Sequence, residues 1–128
     1  MNREAFEEKL AALPIAQYAF FETTELEFSE RIRTVCRTEC PRYGKSWACP
    51  PGVATVDECR TRCLAHPHGL LISTLTEVGD IADMEQTLAT RPAHEAVTHQ
   101  VADLLRAEGV DVLGLSSESC AICTECAY

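Results

Sequence analysis

Eight cysteines stand among 128 residues, and their spacing sorts them into three groups. Near the end of the chain Cys120, Cys123 and Cys126 follow a C-x2-C-x2-C pattern. Three thiolates on one tight turn can converge on a cubane iron–sulfur cluster, and bacterial ferredoxin runs begin with this spacing. Structural zinc usually takes its ligands as two separate pairs, which suits such a triplet less well. A ferredoxin run continues to a fourth cysteine followed by proline, and none follows Cys126. A fourth ligand is therefore expected from elsewhere in the chain, from a partner, from a small molecule on an open iron, or from a missing extension.

The second group is Cys36-x3-Cys40-Pro41 and then Cys49-Pro50-Pro51, set in a segment rich in Pro and Gly over residues 36 to 54. Proline after a ligand cysteine removes a backbone donor and stiffens the turn. A long structureless loop inside a small domain needs a function or a crosslink, and a bound metal supplies one. Arg37, Arg42 and Lys45 bring positive charge that would partly offset an anionic thiolate cluster. Tyr43 and Trp47 could cover the site, but the simpler expectation is that they pack the loop onto the core. Cys59 and Cys63 form the third group; four residues apart on a helix, they share one face and read as small buried hydrophobes rather than auxiliary ligands.

Other chemistry has little support. His66, His68, His94 and His99 form no H-E-x-x-H site, and there is no P-loop, G-x-G-x-x-G or G-x-S-x-G motif.

The segment with Cys36, Cys40, Tyr43-Gly44-Lys45, Trp47 and Cys49-Pro50-Pro51, its lead-in Phe28-Ser29-Glu30-Arg31-Ile32-Arg33, and the later Cys120, Cys123 and Cys126 resemble an uncharacterised family of predicted metal-binding proteins, domain of unknown function 2284. The resemblance runs from about Phe20 to Cys126. It implies metal binding through the cysteines, as in an iron–sulfur protein of anaerobic prokaryotes. Members of that family usually continue into a further cysteine-bearing tail, so the resemblance also implies a truncated or shortened chain. Cys59 and Cys63 match no family position, in keeping with a packing role.

These residues must be held by a small fold. A chain of 128 residues fits one domain, taken as residues 1 to 128. Its 46% apolar and 24% charged residues are ordinary for a soluble protein. The net charge of −9 argues against nucleic acid and anionic membranes as partners. The charged start, Met1-Asn2-Arg3-Glu4, is unlike a signal peptide, and no apolar run is long enough to span a bilayer. A cytoplasmic, reducing location follows, which favours metal ligation over disulfides.

Helical spacing predicts a helix over Asn2 to Leu13, a short turn from Ser29 to Arg33, and helices over Val56 to Ala65, Asp80 or Ile81 to Thr90, and Pro92 to Ala107. The last should bury Ala93, Ala96, Val97, Val101, Leu104 and Leu105. Strands are expected at Tyr18 to Phe21, weakly at Glu25 to Phe28, and strongly at Leu70 to Leu75 and Val110 to Leu115. The last two, joined by helices, suggest a parallel crossover. The expected class is α/β, alternatively α+β, with a three- to four-stranded sheet, packed helices and two cysteine-rich loops.

The sequence thus points to a 4Fe-4S protein with Cys36, Cys40, Cys49, Cys120, Cys123 and Cys126 as ligands, serving electron transfer or accessory work for a redox partner protein. The alternatives are a structural zinc module that presents a protein-binding surface and a thiol redox enzyme. Whether the chain is itself an enzyme is left open.

Overall fold

The computed structural model describes residues 1–115 and 126–127. Its elements run α1 (Arg3–Ala11), β1 (Gln17–Glu22), a 3-10 turn (Thr23–Glu25), α2 (Glu30–Glu39), α3 (Val56–Leu64), β2 (His68–Ser73), α4 (Met84–Ala89) and α5 (Arg91–Ala107). Among the described residues the sheet has two strands, β1 and β2, running antiparallel. The Ala16 amide donates to Ser73 O and the Thr23 amide to Pro67 O, so one strand advances as its partner retreats. The architecture is α+β rather than a parallel α/β sheet of three or four strands.

The missing strands have local causes. Val110 to Leu115 has strand-like alternation, but its first amide is already used: the Val110 N–H donates to Leu105 O, 3.1 Å away, and Gly109 at φ 79° turns the chain off α5. Val110, Val112 and Leu113 are half-buried, and residues 111 to 115 make no ladder. The burial does not keep a period of two, since the neighbours Val112 and Leu113 are both half-buried and Leu115 is exposed. At Glu25 to Phe28 a capping box prevails. The Glu22 amide donates to Glu25 Oε2 at 2.9 Å and the Leu26 amide to Thr23 O at 3.1 Å, closing a 3-10 turn where a strand was expected. A third departure concerns α2. Capped by Ser29 Oγ on the Arg31 amide, it continues past Arg33 to Glu39.

Two compact units are present. The first, Met1–Phe21 with Leu70–Ser116, holds the main apolar core. Phe6 and Leu10 of α1 and Val97 and Val101 of α5 form its centre, with Ile15, Phe20, Leu70 and Ile72 against it. Burying side chains of this size is worth roughly 1.5–3 kcal/mol each. The buried face of α5 is rotated from the expected one: Ala102 is buried, while Ala93 and Ala96 are exposed. At the end of α5, Lys9 Nζ of α1 donates to Glu108 Oε1 at 2.8 Å.

The second unit, which includes Glu22–Gly69, carries Cys36, Cys40, Cys49, Cys59 and Cys63. Among the described residues it buries no large apolar side chain. Its internal ties are polar: Thr23 Oγ1 donates to His66 O at 2.6 Å, and α3 starts at a Thr55–Glu58 capping box. No helix among the described residues is long and apolar enough to cross a membrane.

Candidate metal centre

The helix α2 delivers the first two cysteines. Cys36 lies in its last turns, half-buried, and Cys40 is its exposed C-cap, with φ −88° and ψ 124°. Pro41 explains the exit, because a residue before proline is forced out of the helical region. The expected long loop is therefore shorter than its sequence suggests: it begins at Cys40, and Cys36 stands on regular structure.

From Cys40 the chain folds on its own backbone. The Tyr43 amide donates to Cys40 O at 3.3 Å, and the Lys45 amide to Arg42 O at 3.1 Å. Gly44, at φ 72°, then turns back so that its amide reaches Pro50 O at 2.8 Å. Only glycine adopts that backbone without strain. This clasp closes residues 44 to 50, a ring that contains Cys49, with Cys40 four residues before it. In addition, the Cys49 amide donates to Ser46 O and the Val53 amide to Cys49 O, at 3.3 and 3.1 Å. The half-buried Cys49 thus has its backbone held on both sides.

A second set of contacts ties the end of this loop to the flanking helices. Arg33 Nη1 donates to Ala54 O at 2.7 Å, and Arg33 Nη2 lies 3.5 Å from Cys59 Sγ. The Cys59 thiol also reaches Val53 O at 3.5 Å. Cys59 and Cys63 are half-buried on α3, so neither is the fully buried hydrophobe expected. Cys59 has a polar role instead, as a neighbour of Arg33. The sequence contains no local signal for that contact, because 26 residues separate the partners.

The aromatic residues divide. Tyr43 is half-buried, but Trp47 is 62% exposed, contrary to its expected packing on the core. The segment around Trp47 is shaped by backbone hydrogen bonds and the Gly44 turn, so apolar burial is not what places the indole. Three of the histidines contact oxygens elsewhere in the chain: His66 Nδ1 lies 3.2 Å from Arg62 O, His68 Nδ1 3.2 Å from Glu22 Oε1, and His94 Nδ1 2.8 Å from Thr74 Oγ1.

Cys36, Cys40, Cys49, Cys59 and Cys63 form no disulfide. Cys120 and Cys123 lie outside the described residues, and Cys126 is half-buried. Among the described residues no group of three His, Cys, Asp or Glu side chains converges as a ready-made metal site. The donor set is nonetheless chemically uniform. Cys36 at the end of α2 and Cys40 and Cys49 in the loop are all sulfur donors, and soft thiolates as a class select iron–sulfur clusters, zinc and Cu(I) over magnesium or calcium.

A family profile described as predicted metal-binding protein (DUF2284) matches residues 19–128. The chain belongs to this family. The match takes in most of β1, the whole cysteine loop and every cysteine of the chain, and leaves out α1, the residues that follow it and the first two residues of β1. No curated protein and no solved structure matches. For this DUF2284 member the donor chemistry of the loop and the family description agree at the level of metal binding.

Proposed function

We propose that this protein binds a 4Fe-4S cluster through cysteines drawn from Cys36, Cys40, Cys49, Cys120, Cys123 and Cys126, and works in the cytoplasm as an electron carrier or accessory protein for a redox enzyme. The observation that carries the reading is the loop from Cys40 to Ala54. Its backbone hydrogen bonds hold a segment carrying Cys40 and Cys49, directly after Cys36 on α2, and the chain belongs to a family of predicted metal-binding proteins. Two separated cysteine segments supply enough sulfur for four ligands, and the terminal C-x2-C-x2-C spacing favours iron–sulfur over zinc.

A bound cluster would supply one-electron redox chemistry; the chain supplies its ligands and surroundings. Arg37, Arg42 and Lys45 lie beside the loop thiols in sequence and would offset the negative charge of a thiolate-bound cluster. Among its described residues the second unit buries no large apolar side chain, which suits a segment stabilised by a metal, since metal binding contributes directly to folding free energy.

The test is anaerobic purification of the full chain followed by iron, acid-labile sulfide and zinc analysis. The expected result is a brown protein with iron and sulfide in equal amounts. Stoichiometric zinc without iron or sulfide would overturn the iron–sulfur assignment while leaving metal binding intact.

A further inference from the structure

Positive charge is concentrated in one stretch of an acidic chain. Residues 31 to 62 hold seven of the 11 Lys and Arg residues but only three of the 20 Asp and Glu, within a net charge of −9. In the unit that contains them, a cleft of about 320 Å³ opens between α2, the cysteine loop and the start of α3. Arg33 and Arg37, one helical turn apart on α2, line it together with Tyr43, Pro50, Glu30 and Glu58. None of the described cysteines does, so the cleft is distinct from the thiol donors.

The charged groups of the cleft are not equally committed. Arg33 is held by Ala54 O at 2.7 Å. The Glu58 carboxylate is drawn to the start of α3, where it accepts the Thr55 amide at 3.3 Å. The side chains of Arg37 and Tyr43 make no hydrogen bond or ion pair with any described residue, although both residues border the cleft. A guanidinium with its donors uncommitted and a phenolic side chain, both lining one cleft, offer donors for a planar or tetrahedral oxyanion.

We infer that this cleft binds a small ligand through one carboxylate or phosphate group, with Arg37 and Tyr43 donating to its oxygens and Arg33 adding fixed positive charge. Glu30, which also lines the cleft, disfavours ligands of high negative charge. The cleft therefore selects a ligand whose oxyanion is accompanied by a hydrogen-bond donor or a cationic group over a bare polyanion. This inference does not rest on the metal assignment, because it uses none of the cysteines.

The experiment measures the thermal midpoint of the full chain with inorganic phosphate or acetate against chloride at equal ionic strength, with metal analysis of every sample. A ligand that binds only the folded state raises the midpoint in a saturable way. The expected result is a saturable rise with at least one anion, and the anion that saturates at the lower concentration identifies the headgroup chemistry. Arg37→Gln should weaken binding about tenfold, the loss of one charge-assisted contact. Tyr43→Phe should weaken it less, and Arg42→Gln, outside the cleft, should leave it unchanged. No saturable rise with either anion would overturn the inference, as would Arg42→Gln weakening binding as much as Arg37→Gln, which would mark general surface charge. If Arg37→Gln fails to fold, Tyr43→Phe and Arg42→Gln still decide between the two. Unchanged metal content across the variants would separate a failure here from a failure of the metal assignment.

Discussion

Arg33 bridges from α2 to the Ala54 carbonyl at 2.7 Å and to the Cys59 thiol at 3.5 Å. One half-buried guanidinium thereby fixes the end of the cysteine loop and the first turns of α3. Where side chains form little apolar core, a charged hydrogen bond to a partly buried carbonyl carries more of the stability. Arg33→Ala is expected to cost about 1–2 kcal/mol, because the Ala54 carbonyl loses its charged donor. Urea unfolding should show a lower midpoint with an unchanged slope. Arg31→Ala, on the exposed side of the same helix, should change stability by less than about 0.5 kcal/mol.

Gly44 at φ 72° makes the clasp from its amide to Pro50 O possible. A methyl group there would meet nothing within 4 Å, so a substitution meets backbone strain alone and no steric clash. Gly44→Ala should therefore destabilise the chain by about 1–2 kcal/mol, the cost of the left-handed conformation for a residue with a Cβ. It should also loosen the loop, which limited proteolysis between Pro41 and Pro51 reads directly. Unchanged stability and unchanged cleavage would show that the clasp is not needed to hold the loop.

What could be read in advance, and what could not, follows the range of the interactions. The α1 and α3 helices were legible from Asn2 and the Thr55–Glu58 capping box, signals that lie within four residues. The cysteine loop was legible as a feature because Pro and Gly exclude both regular structures there. The strand at Val110 to Leu115 was misjudged because period-two alternation in the sequence looks the same whether or not a neighbouring strand completes the ladder. The parallel crossover failed with it, since β2 pairs with β1 instead. Arg33 was missed as a structural tie because its partners lie 21 and 26 residues away.

The apolar core predicts an asymmetry between the two units. Phe6 and Leu10 are 0% and 1% exposed, whereas Ile32 on α2 is 65% exposed. Leu10→Ala should cost about 2–5 kcal/mol and Phe6→Ala about 3–5 kcal/mol, combining lost burial with the cavity left behind. Ile32→Ala should stay within about 0.5 kcal/mol. Chemical denaturation of the three variants tests the ranking, and an Ile32 effect equal to that of Leu10 would show that α2 is covered in solution.

Under the metal assignment the cysteines should separate by function. Serine at Cys36, Cys40 or Cys49 should lower bound metal, because serine replaces a soft sulfur donor with a hard oxygen. Serine at Cys59 or Cys63 should leave the metal-to-protein ratio unchanged. Metal analysis of the five single variants, each purified anaerobically, makes the comparison. Loss of metal in Cys59→Ser would enlarge the ligand set and link the Arg33 contact to the site.

The Lys9–Glu108 pair gives a pH dependence with a defined sign. The hydrogen bond and the charge of Lys9 hold the Glu108 carboxyl below its ordinary value of 4.5. A carboxyl whose pKa falls on folding contributes stability that is present above the unfolded-state value and lost as pH drops through the folded-state value. The effect is small, because both side chains are solvent-accessible and the pair is screened by salt. Glu108→Gln removes the titrating group and keeps a hydrogen-bonding side chain. The wild type should therefore exceed Glu108→Gln in thermal midpoint at neutral pH, and the gap should close as the pH falls below about 4.5. Raising the salt concentration at neutral pH should narrow the same gap. A difference that stays constant from neutral to acid pH would show that the contact between α1 and the end of α5 stabilises through packing and not through charge.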